Sequence, residues 1–304
     1  MSLDMHAHLL LQMEKLWNEA VQLQPVFRQM ALQGDSIPVW VGLSGGVDSV
    51  VLLDSLLALK QQFPFLADIR AVYINHQLSS NADAWETFCR SFCASVNILF
   101  EARRVNVIED GKGIEDAARA ARFEVFDSLL KTPALLALGH HGDDQVETLL
   151  LRLGRGTGSR GFGGIPQVRQ LGAGVLIRPL LHLARSTIEQ YAADRGLTHI
   201  DDESNMDQRY DRNYVRHSVV PVLAKRWPAY IKTWGESVRS AQEADSLLAE
   251  LAAEDLQRLL SASASGNKNL NAINESATSA GESLDLAGYE RLATYANVIF
   301  YVIG

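Results

Sequence analysis

The chain has 304 residues, 47% apolar and 21% charged, a globular balance that excludes a disordered or collagen-like protein and suits one large domain or two ordinary ones. A net charge of −8, from 28 basic and 36 acidic residues, argues against a protein that coats nucleic acid without selectivity. No apolar run reaches the roughly 18 residues of a membrane span, and two cysteines, Cys89 and Cys93, exclude a disulfide scaffold and cannot complete a tetrahedral metal site.

In chain order, residues 1–36 read as one amphipathic helix with Leu9, Leu10, Met13, Leu16 and Trp17 on one side. Its early acids and missing small-residue cleavage site do not fit a signal peptide, so the expected compartment is the cytoplasm. Ile37 to Leu43 is a short apolar run, followed by SGGVDS and an apolar helix from Val47 to about Lys60. Ile69 to Ile74 reads as a second strand, Asn81 to Val96 as a helix, and Ile98 to Val107 as a third strand. Ile114 to Lys131 has strong helix formers in AARAAR. Ala134 to Gly139 reads as a fourth strand and Asp143 to Leu153 as the helix after it. Glycine-rich Arg155 to Gly174 reads as loop, Val175 to Ile177 as a strand, and Ser186 to Arg195 as a helix stopped by Gly196. From Tyr214 to about Leu260 the chain reads as helical with breaks at Pro221 and Pro228, and Ser261 to Ser283 as a flexible linker before a short apolar tail.

Strands and helices alternating at this spacing predict an α/β fold: a parallel-sheet, Rossmann-like N-terminal domain followed by a smaller helical domain. The expected division is an N-terminal helix (1–36), a nucleotide domain (37–222), a helical domain that is open to being incomplete (223–260), and linker with tail (261–304). Ligands in such sheets bind beyond the carboxyl ends of the strands. SGGVDS and HHGDDQVET each follow a strand directly, so both belong to one edge and can face one site.

In SGGVDS, Gly45 and Gly46 allow close backbone approach, the helix N-terminus favours an anion, and Ser44 and Ser49 carry hydroxyls. Asp48 beside phosphates is repulsive unless it holds a metal, and magnesium is the usual bridge. There is no G-x-x-x-x-G-K-[ST] string, so this is not the common P-loop. In the second motif, His140, His141, Asp143 and Asp144 are more than a helix cap requires. Adjacent carboxylates facing phosphates suggest magnesium ligation or general-base work, and a histidine can stabilise a phosphoryl intermediate. On the Ile114 helix, Glu115, Arg119 and Arg122 share one face. Spacing leaves open a surface ion-pair ladder or a substrate-facing set. Between Glu147 and Glu189 there is no acidic residue, yet Arg152, Arg155, Arg160, Arg169, Arg178 and Arg185 fall there. Such a basic, glycine-rich segment suits a phosphate backbone. Arg209, Arg212, Arg216, Lys225 and Arg226 form a second basic run, partly offset by Asp207 and Asp211.

SGGVDS resembles the pyrophosphate loop of the N-type ATP pyrophosphatases, which cleave ATP to AMP and pyrophosphate. HHGDDQVETLLLRLGRGTG (His140 to Gly158) resembles the tRNA(Ile)-lysidine synthetase family. NHQLS (Asn75 to Ser79), GIEDAARAARFEVF (Gly113 to Phe126), IRPLL (Ile177 to Leu181) and DDESNMDQRYDRNYVRHSVVPVL (Asp201 to Leu223) resemble further segments of it in order. The likeness covers roughly Val39 to Leu260.

The resemblance implies an adenine nucleotide alpha hydrolase-like fold. It implies a ligase that adenylates the 2-carbonyl oxygen of the wobble cytidine of a minor isoleucine tRNA. The ε-amine of free lysine then displaces AMP, leaving lysidine and changing decoding from AUG to AUA. ATP and magnesium are the implied cofactors. Isoleucine tRNA with a wobble cytidine and free lysine are the implied partners, with no membrane and with a homodimer left open. Ser44, Gly45, Gly46, Val47, Asp48 and Ser49 would hold ATP. Asp48, His140, Asp143 and Asp144 are the catalytic candidates, Asp48 and Asp144 the magnesium ligands, with Asp144 beside Asp143 alternatively binding the lysine ammonium. Arg119, Arg122, Arg152, Arg155, Arg160, Arg212 and Arg216 are the candidates for contact with tRNA or substrate. Many members carry further C-terminal domains that help grip tRNA. No counterpart is found after the linker, so a short form or a truncated product is expected. Two alternatives stay open. A tRNA thiolase of the same superfamily usually needs paired sulfur or cluster cysteines, whereas Cys89 and Cys93 are expected on a helix away from both motifs. A module that senses ATP without turnover would not need His140 and Asp144 as well as SGGVDS.

Overall fold

A computed structural model describes residues 3–108 and 113–264. The chain divides into two compact units, residues 1–156 with 164–235, and residues 157–163 with 236–304. The expected linker and tail lie outside the described residues, apart from residues 261–264, which continue a helix.

The N-terminal stretch is two helices, not one: α1 (Leu3–Leu23) and α2 (Val26–Gln33). The break falls at Pro25, which has no N–H to continue the ladder of α1. Met5, Leu9, Met13, Leu16 and Ala20 of α1 are buried at helical spacing. Trp17 stacks on Phe65 with ring centroids 4.5 Å apart.

The sheet follows with β1 (Pro38–Gly42), β2 (Asp68–Asn75), β3 (Leu99–Arg104) and β4 (Leu135–Ala137), all parallel, then β5 (Val168–Leu171) antiparallel to β6 (Gly174–Ile177). The order is β3-β2-β1-β4-β6-β5. It is thus a mostly parallel six-stranded α/β sheet, as the alternation predicted. Helices α3 (Val47–Leu59), α4 (Ala82–Ser95) and α5 (Ile114–Leu129) join the first four strands. Side chains alternate across the sheet. Val39 and Val41 enter one core with α1, α3 and α8 (Arg185–Arg195), while Trp40 enters a second core with Phe126 and Leu130 at the end of α5. Helix α3 is apolar nearly all round because the sheet lies on one side of it and α8 on another. Tyr191 and Arg195 of α8 both donate to Asp54 on α3, at 2.6 and 3.0 Å.

Chain order reverses between β1 and β4, which opens a crevice at their carboxyl ends. SGGVDS leaves β1 there, and β4 leads there into α6 (Gly142–Gly154).

The segment from Arg155 to Gly174 is not all loop. It holds the short α7 (Ser159–Phe162) and strand β5, joined to β6 by Gly172 and Ala173. Gly172 takes φ +55°, the left-handed turn that a two-residue hairpin needs. Four residues with polar Arg169 and Gln170 among them carry too little strand pattern to be read in advance. Beyond α8 come α9 (Asp211–Tyr214), a π-helical turn (Val215–Val219), α10 (Val220–Arg226) and α11 (Tyr230–Ala264). Pro221 does not break the helix, because it sits in the first turn of α10, where no N–H is required. Pro228 does separate α10 from α11. The described part of the second unit is helical, with Gln242 Nε2 donating to the Gly163 carbonyl at 2.5 Å.

Gly174 opens β6 against the carbonyl of Ala134, which receives the Val175 N–H at 3.1 Å. A Cβ on Gly174 would stand 2.3 Å from that backbone oxygen. Gly174→Ala is therefore expected to destabilise the chain by about 2 kcal/mol, measured by urea unfolding; a change under about 0.5 kcal/mol would refute the close approach.

Candidate active site

The glycine loop is tied together by its own serine. Ser49 Oγ accepts the N–H groups of Ser44 and Gly45 at 3.1 and 3.2 Å and donates to the Gly46 carbonyl at 2.9 Å. The sequence suggested Ser49 as a phosphate donor, but its hydroxyl is buried and occupied in shaping the loop. Gly45 takes φ +88°, and a Cβ there would lie 2.5 Å from Ile200 Cδ1 and 3.2 Å from Cys89 Sγ. Cys89 thus packs against the loop instead of lying away from it. Burial pushes the Cys89 and Cys93 thiols up to about 12, so neither is a ready thiolate. Around Gly46 a Cβ would meet only Ser44 Oγ, at 3.6 Å; that side of the loop is open. Val47 and Asp48 begin α3 ahead of its first i→i−4 bond, from Val50 N–H to Gly46. Their N–H groups are therefore free for an anion.

Asp48 faces the start of α6. Its Oδ1 is buried without a hydrogen-bond partner, and its Oδ2 lies 3.7 Å from His141 Nε2. Burial raises its carboxyl above the ordinary value, and Asp144 adds to this against the opposing pull of His141, Arg185 and Arg216. His141 is enclosed by carboxylates, with Asp144 at 3.5 Å and Asp143 at 3.6 Å as well as Asp48. Burial opposes its protonation, yet these three carboxylates win and raise its pKa.

His140 has the opposite environment. Arg178 Nε donates to its Nδ1 at 3.1 Å. Guanidinium only donates, so the proton of His140 sits on Nε2. Burial, with Arg178, Arg212 and Arg122 nearby, lowers its pKa to about 3 despite Asp144. Two adjacent histidines therefore have two roles. Residue 141 is in extended backbone, φ −128° and ψ −178°, and neighbours along extended chain project to opposite sides. The sequence singled out His140; the imidazole among the carboxylates is His141, and the doubled histidine gave no means of telling them apart.

Asp143 is committed to structure. Its Oδ2 accepts the Arg185 N–H at 2.8 Å and its Oδ1 the Tyr230 hydroxyl at 2.8 Å, tying α6 to α8 and α11. Asp144 Oδ2 accepts the His141 N–H at 2.9 Å and Oδ1 accepts Arg212 Nη2 at 2.8 Å. Glu147, one helical turn on and 1% exposed, takes Arg212 Nε at 2.9 Å and Arg216 Nε at 2.7 Å. The charges of His141 and Arg212 overcome burial and hold Asp144 at about 2. Arg212 and Arg216, expected to reach tRNA or substrate, are thus paired with Asp144 and Glu147. The motif HHGDDQVET contains Glu147, but nothing in its spacing marked that residue as the partner of two arginines.

The other arginines divide. Arg152 donates to the Gly164 carbonyl at 2.9 Å, and Arg155 pairs with Asp211 at 3.1 Å on the surface. Arg160 is exposed in the second unit. Arg119 and Arg122 make no ion pair among the described residues; neighbouring guanidiniums, after burial, lower both, Arg122 to about 10. Both nevertheless keep exposed surface. An ion-pair ladder on α5 is not what these two arginines form with the described residues.

Among the described residues no three His, Cys, Asp or Glu side chains converge as an all-protein metal site. Magnesium does not require one, since it is usually held by one or two carboxylates plus substrate phosphates and water. Asp48, with its unpartnered buried oxygen, fits that role. Asp144, whose two oxygens already accept protein donors, fits it less well.

A glycine loop on a helix N-terminus with an acid as its fifth residue, at the reversal point of a parallel sheet, defines a nucleotide-phosphate site of the PP-loop kind. The profile of the PP-loop domain matches residues 18–223, and the chain belongs to that family. Among curated proteins, it is 40% identical over 237 residues to the tRNA(Ile)-lysidine synthase of Proteus mirabilis (strain HI4320), covering 78% of this chain and 54% of that protein. It is 43% identical over 221 residues to the tRNA(Ile)-lysidine synthase of Enterobacter sp. (strain 638), covering 73% and 52%. For that of Pseudomonas fluorescens (strain Pf0-1) the figures are 43% over 218 residues, 71% and 48%. The chain spans about half the length of the curated relatives it matches. Among solved structures, the U34-tRNA thiolase NcsA from Methanococcus maripaludis with its [4Fe-4S] cluster superposes with a TM-score of 0.54 at 19% identity, covering 68% of this chain and 71% of that one. That likeness is one of fold.

Two measurements test the charge arrangement. Arg212→Met leaves Glu147 and Asp144 short of a counter-charge and is expected to cost about 2–3 kcal/mol in urea unfolding, discounted because Arg212 is 32% exposed; a neutral result would refute the network. For His140, the unfolded state binds a proton near pH 6.5, while the folded state refuses it down to about pH 3. Its contribution is therefore intact above pH 6.5 and lost as pH falls through that window. His140→Gln should show a flatter stability profile between pH 6 and 4, and curves parallel to wild type would show that His140 is not held neutral.

Proposed function

We propose that this chain carries the ATP-dependent ligation of lysine to C2 of the wobble cytidine of an isoleucine tRNA, through an adenylated intermediate, releasing pyrophosphate and AMP. The observation that carries this reading is the meeting of two elements at one sheet edge. One is a PP-loop phosphate site; the other is a buried carboxylate group on α6, in a chain about 40% identical to curated tRNA(Ile)-lysidine synthases over most of its length.

Adenylation begins with the cytidine O2 attacking the α-phosphorus of ATP while the bond to pyrophosphate breaks. The open side of Gly46 and the N–H groups of Val47 and Asp48 receive the phosphates, whose negative charge they and the α3 dipole offset. Asp48 would hold magnesium, which when bound neutralises phosphate charge. His140, neutral and presenting Nε2–H, donates to an oxygen of the reacting phosphoryl group without bringing a titrating proton. In the second step the lysine ε-nitrogen, its ammonium proton given up to solvent, attacks C2; the C2–O bond breaks and AMP departs carrying the former cytidine O2. The carboxylates of Asp143 and Asp144 at the start of α6 would draw the lysine ammonium toward that end of the helix.

Arg119 and Arg122 would contact the tRNA, with Arg152, Arg155 and Arg160 supplying phosphate contacts from the segment after α6. Residues 37–222 are the proposed catalytic domain, with the cytoplasm as the compartment; among the described residues no helix is long and apolar enough to cross a membrane. A thiolase is less well supported, because Cys89 and Cys93 are both buried thiols, Cys89 packed under the glycine loop.

The test is incorporation of labelled lysine into an isoleucine tRNA with a wobble cytidine, using this 304-residue chain with ATP and magnesium. Incorporation is expected, and Asp48→Ala should lower it by about two orders of magnitude or more. Absence of incorporation alongside AMP formation on another acceptor would retain the PP-loop chemistry and overturn the substrate.

A further inference from the structure

Of the arginines near the site, those reaching Asp144 and Glu147 are neutralised, and a second group is not. Arg119, Arg122, Arg169 and Arg178 have no ion pair among the described residues. They act on one another: Arg169 and Arg119 both depress Arg178, which burial lowers to about 9. Like charges gathered this closely cost free energy unless an anion compensates them.

Two of the four are held by one aromatic ring. Arg119 Cζ lies 5.4 Å from the Phe123 centroid and Arg169 Cζ 4.7 Å from it, both within cation–π range. Phe123 is itself fixed edge-on against buried Phe126, at 5.8 Å and 89°. Arg119 comes from α5 and Arg169 from edge strand β5, opposite Leu176. Phe123 therefore joins the two elements and sets both guanidiniums in place. Arg169 Nε is buried without a hydrogen-bond partner, a donor left unused on the protein side.

We propose that Arg119 and Arg169, held over Phe123, form a clamp for an RNA phosphodiester beside the active site; this rests on the RNA-modifying reading above. The phosphates of ATP have the glycine loop and the start of α3. The clamp belongs to other elements, α5 and the β5 hairpin, and suits the second polyanion. Arginine is the side chain for this task, because its planar fork binds phosphate oxygens in pairs. Phe123 acts as a positioning residue, touching no phosphate itself.

The experiment measures binding of an isoleucine anticodon stem-loop with a wobble cytidine, and of an unrelated stem-loop, to the full chain over a range of salt. Arg169→Ala is expected to weaken both roughly tenfold, because a phosphate contact carries no sequence information. The slope of log K against log salt should become shallower by about 0.7, one single-strand phosphate contact. Arg169→Lys keeps the charge without the fork and should retain the slope with a smaller loss of affinity. Phe123→Leu should weaken binding a few-fold through misplacement of both guanidiniums. The thermal midpoint of free Arg169→Ala should be unchanged or higher, since repulsion is relieved; a merely structural arginine would lower it. ATP binding without RNA should not change.

An unaltered salt slope in Arg169→Ala overturns the proposal, as does weakened ATP binding with RNA affinity intact, which would assign the clamp to the nucleotide. Wild-type chain that binds neither stem-loop also overturns it. Wild-type chain that makes no lysidine but shows the Arg169-dependent slope removes the lysine-ligating activity and leaves the clamp standing.

Discussion

Asp144 and Glu147 share one face of α6 at a depth that water scarcely reaches, and the surroundings of β4 are arranged to keep them charged. A carboxylate moved there alone would take up a proton or expel its helix. Arg212 and Arg216 prevent both outcomes, each reaching the two acids. Breaking one side of such a network costs far more than the pair contributes, because the remaining charge is stranded. The network therefore acts as a constraint: α6, which leaves β4, and the α9 segment, almost seventy residues later, must stay in register. A π-helical turn follows at once, a widening of the helix often found beside functional sites.

The same group of acids sets the states of its neighbours. His141 lies among Asp48, Asp143 and Asp144, which favour its imidazolium. One residue earlier, burial, aided by the Arg178 guanidinium, keeps His140 neutral. An environment that separates two histidines into a cation and a neutral donor allows a charged and an uncharged task side by side at one pH. Asp48 completes the arrangement from the other strand. It is the one acid of the group with a buried oxygen left unpartnered, while Asp143 anchors α6 to Arg185 and Tyr230.

Positive charge is distributed as unevenly as negative. In a chain of net −8, Arg212 and Arg216 neutralise acids, Arg155 meets Asp211 on the surface, and the group around Phe123 stays uncompensated among the described residues. Partnered arginines stabilise the fold. Unpartnered ones strain it slightly and leave it receptive to an anion, a trade that proteins make at functional surfaces. Sequence alone could not sort them, because the sort depends on which acids fold back to meet which arginines.

What the chain determined by itself was the frame. Apolar runs separated by helical periods specified a parallel sheet, and two motifs placed directly after β1 and β4 had to share the edge where the order reverses. These are local properties: side-chain alternation, glycine at Gly45, a helix start at Val47. Local signals also misled where they were thin. Pro25 divides the first helix, and β5 is too short and polar to announce itself. Tertiary structure alone decided the pairings: Ser49 folded onto its own loop, His141 and not His140 among the acids, Arg212 and Arg216 turned inward, Cys89 beneath Gly45. Each pairing joins residues whose spacing carries no period, and its energy comes from excluding water around charges that meet only once the sheet is closed.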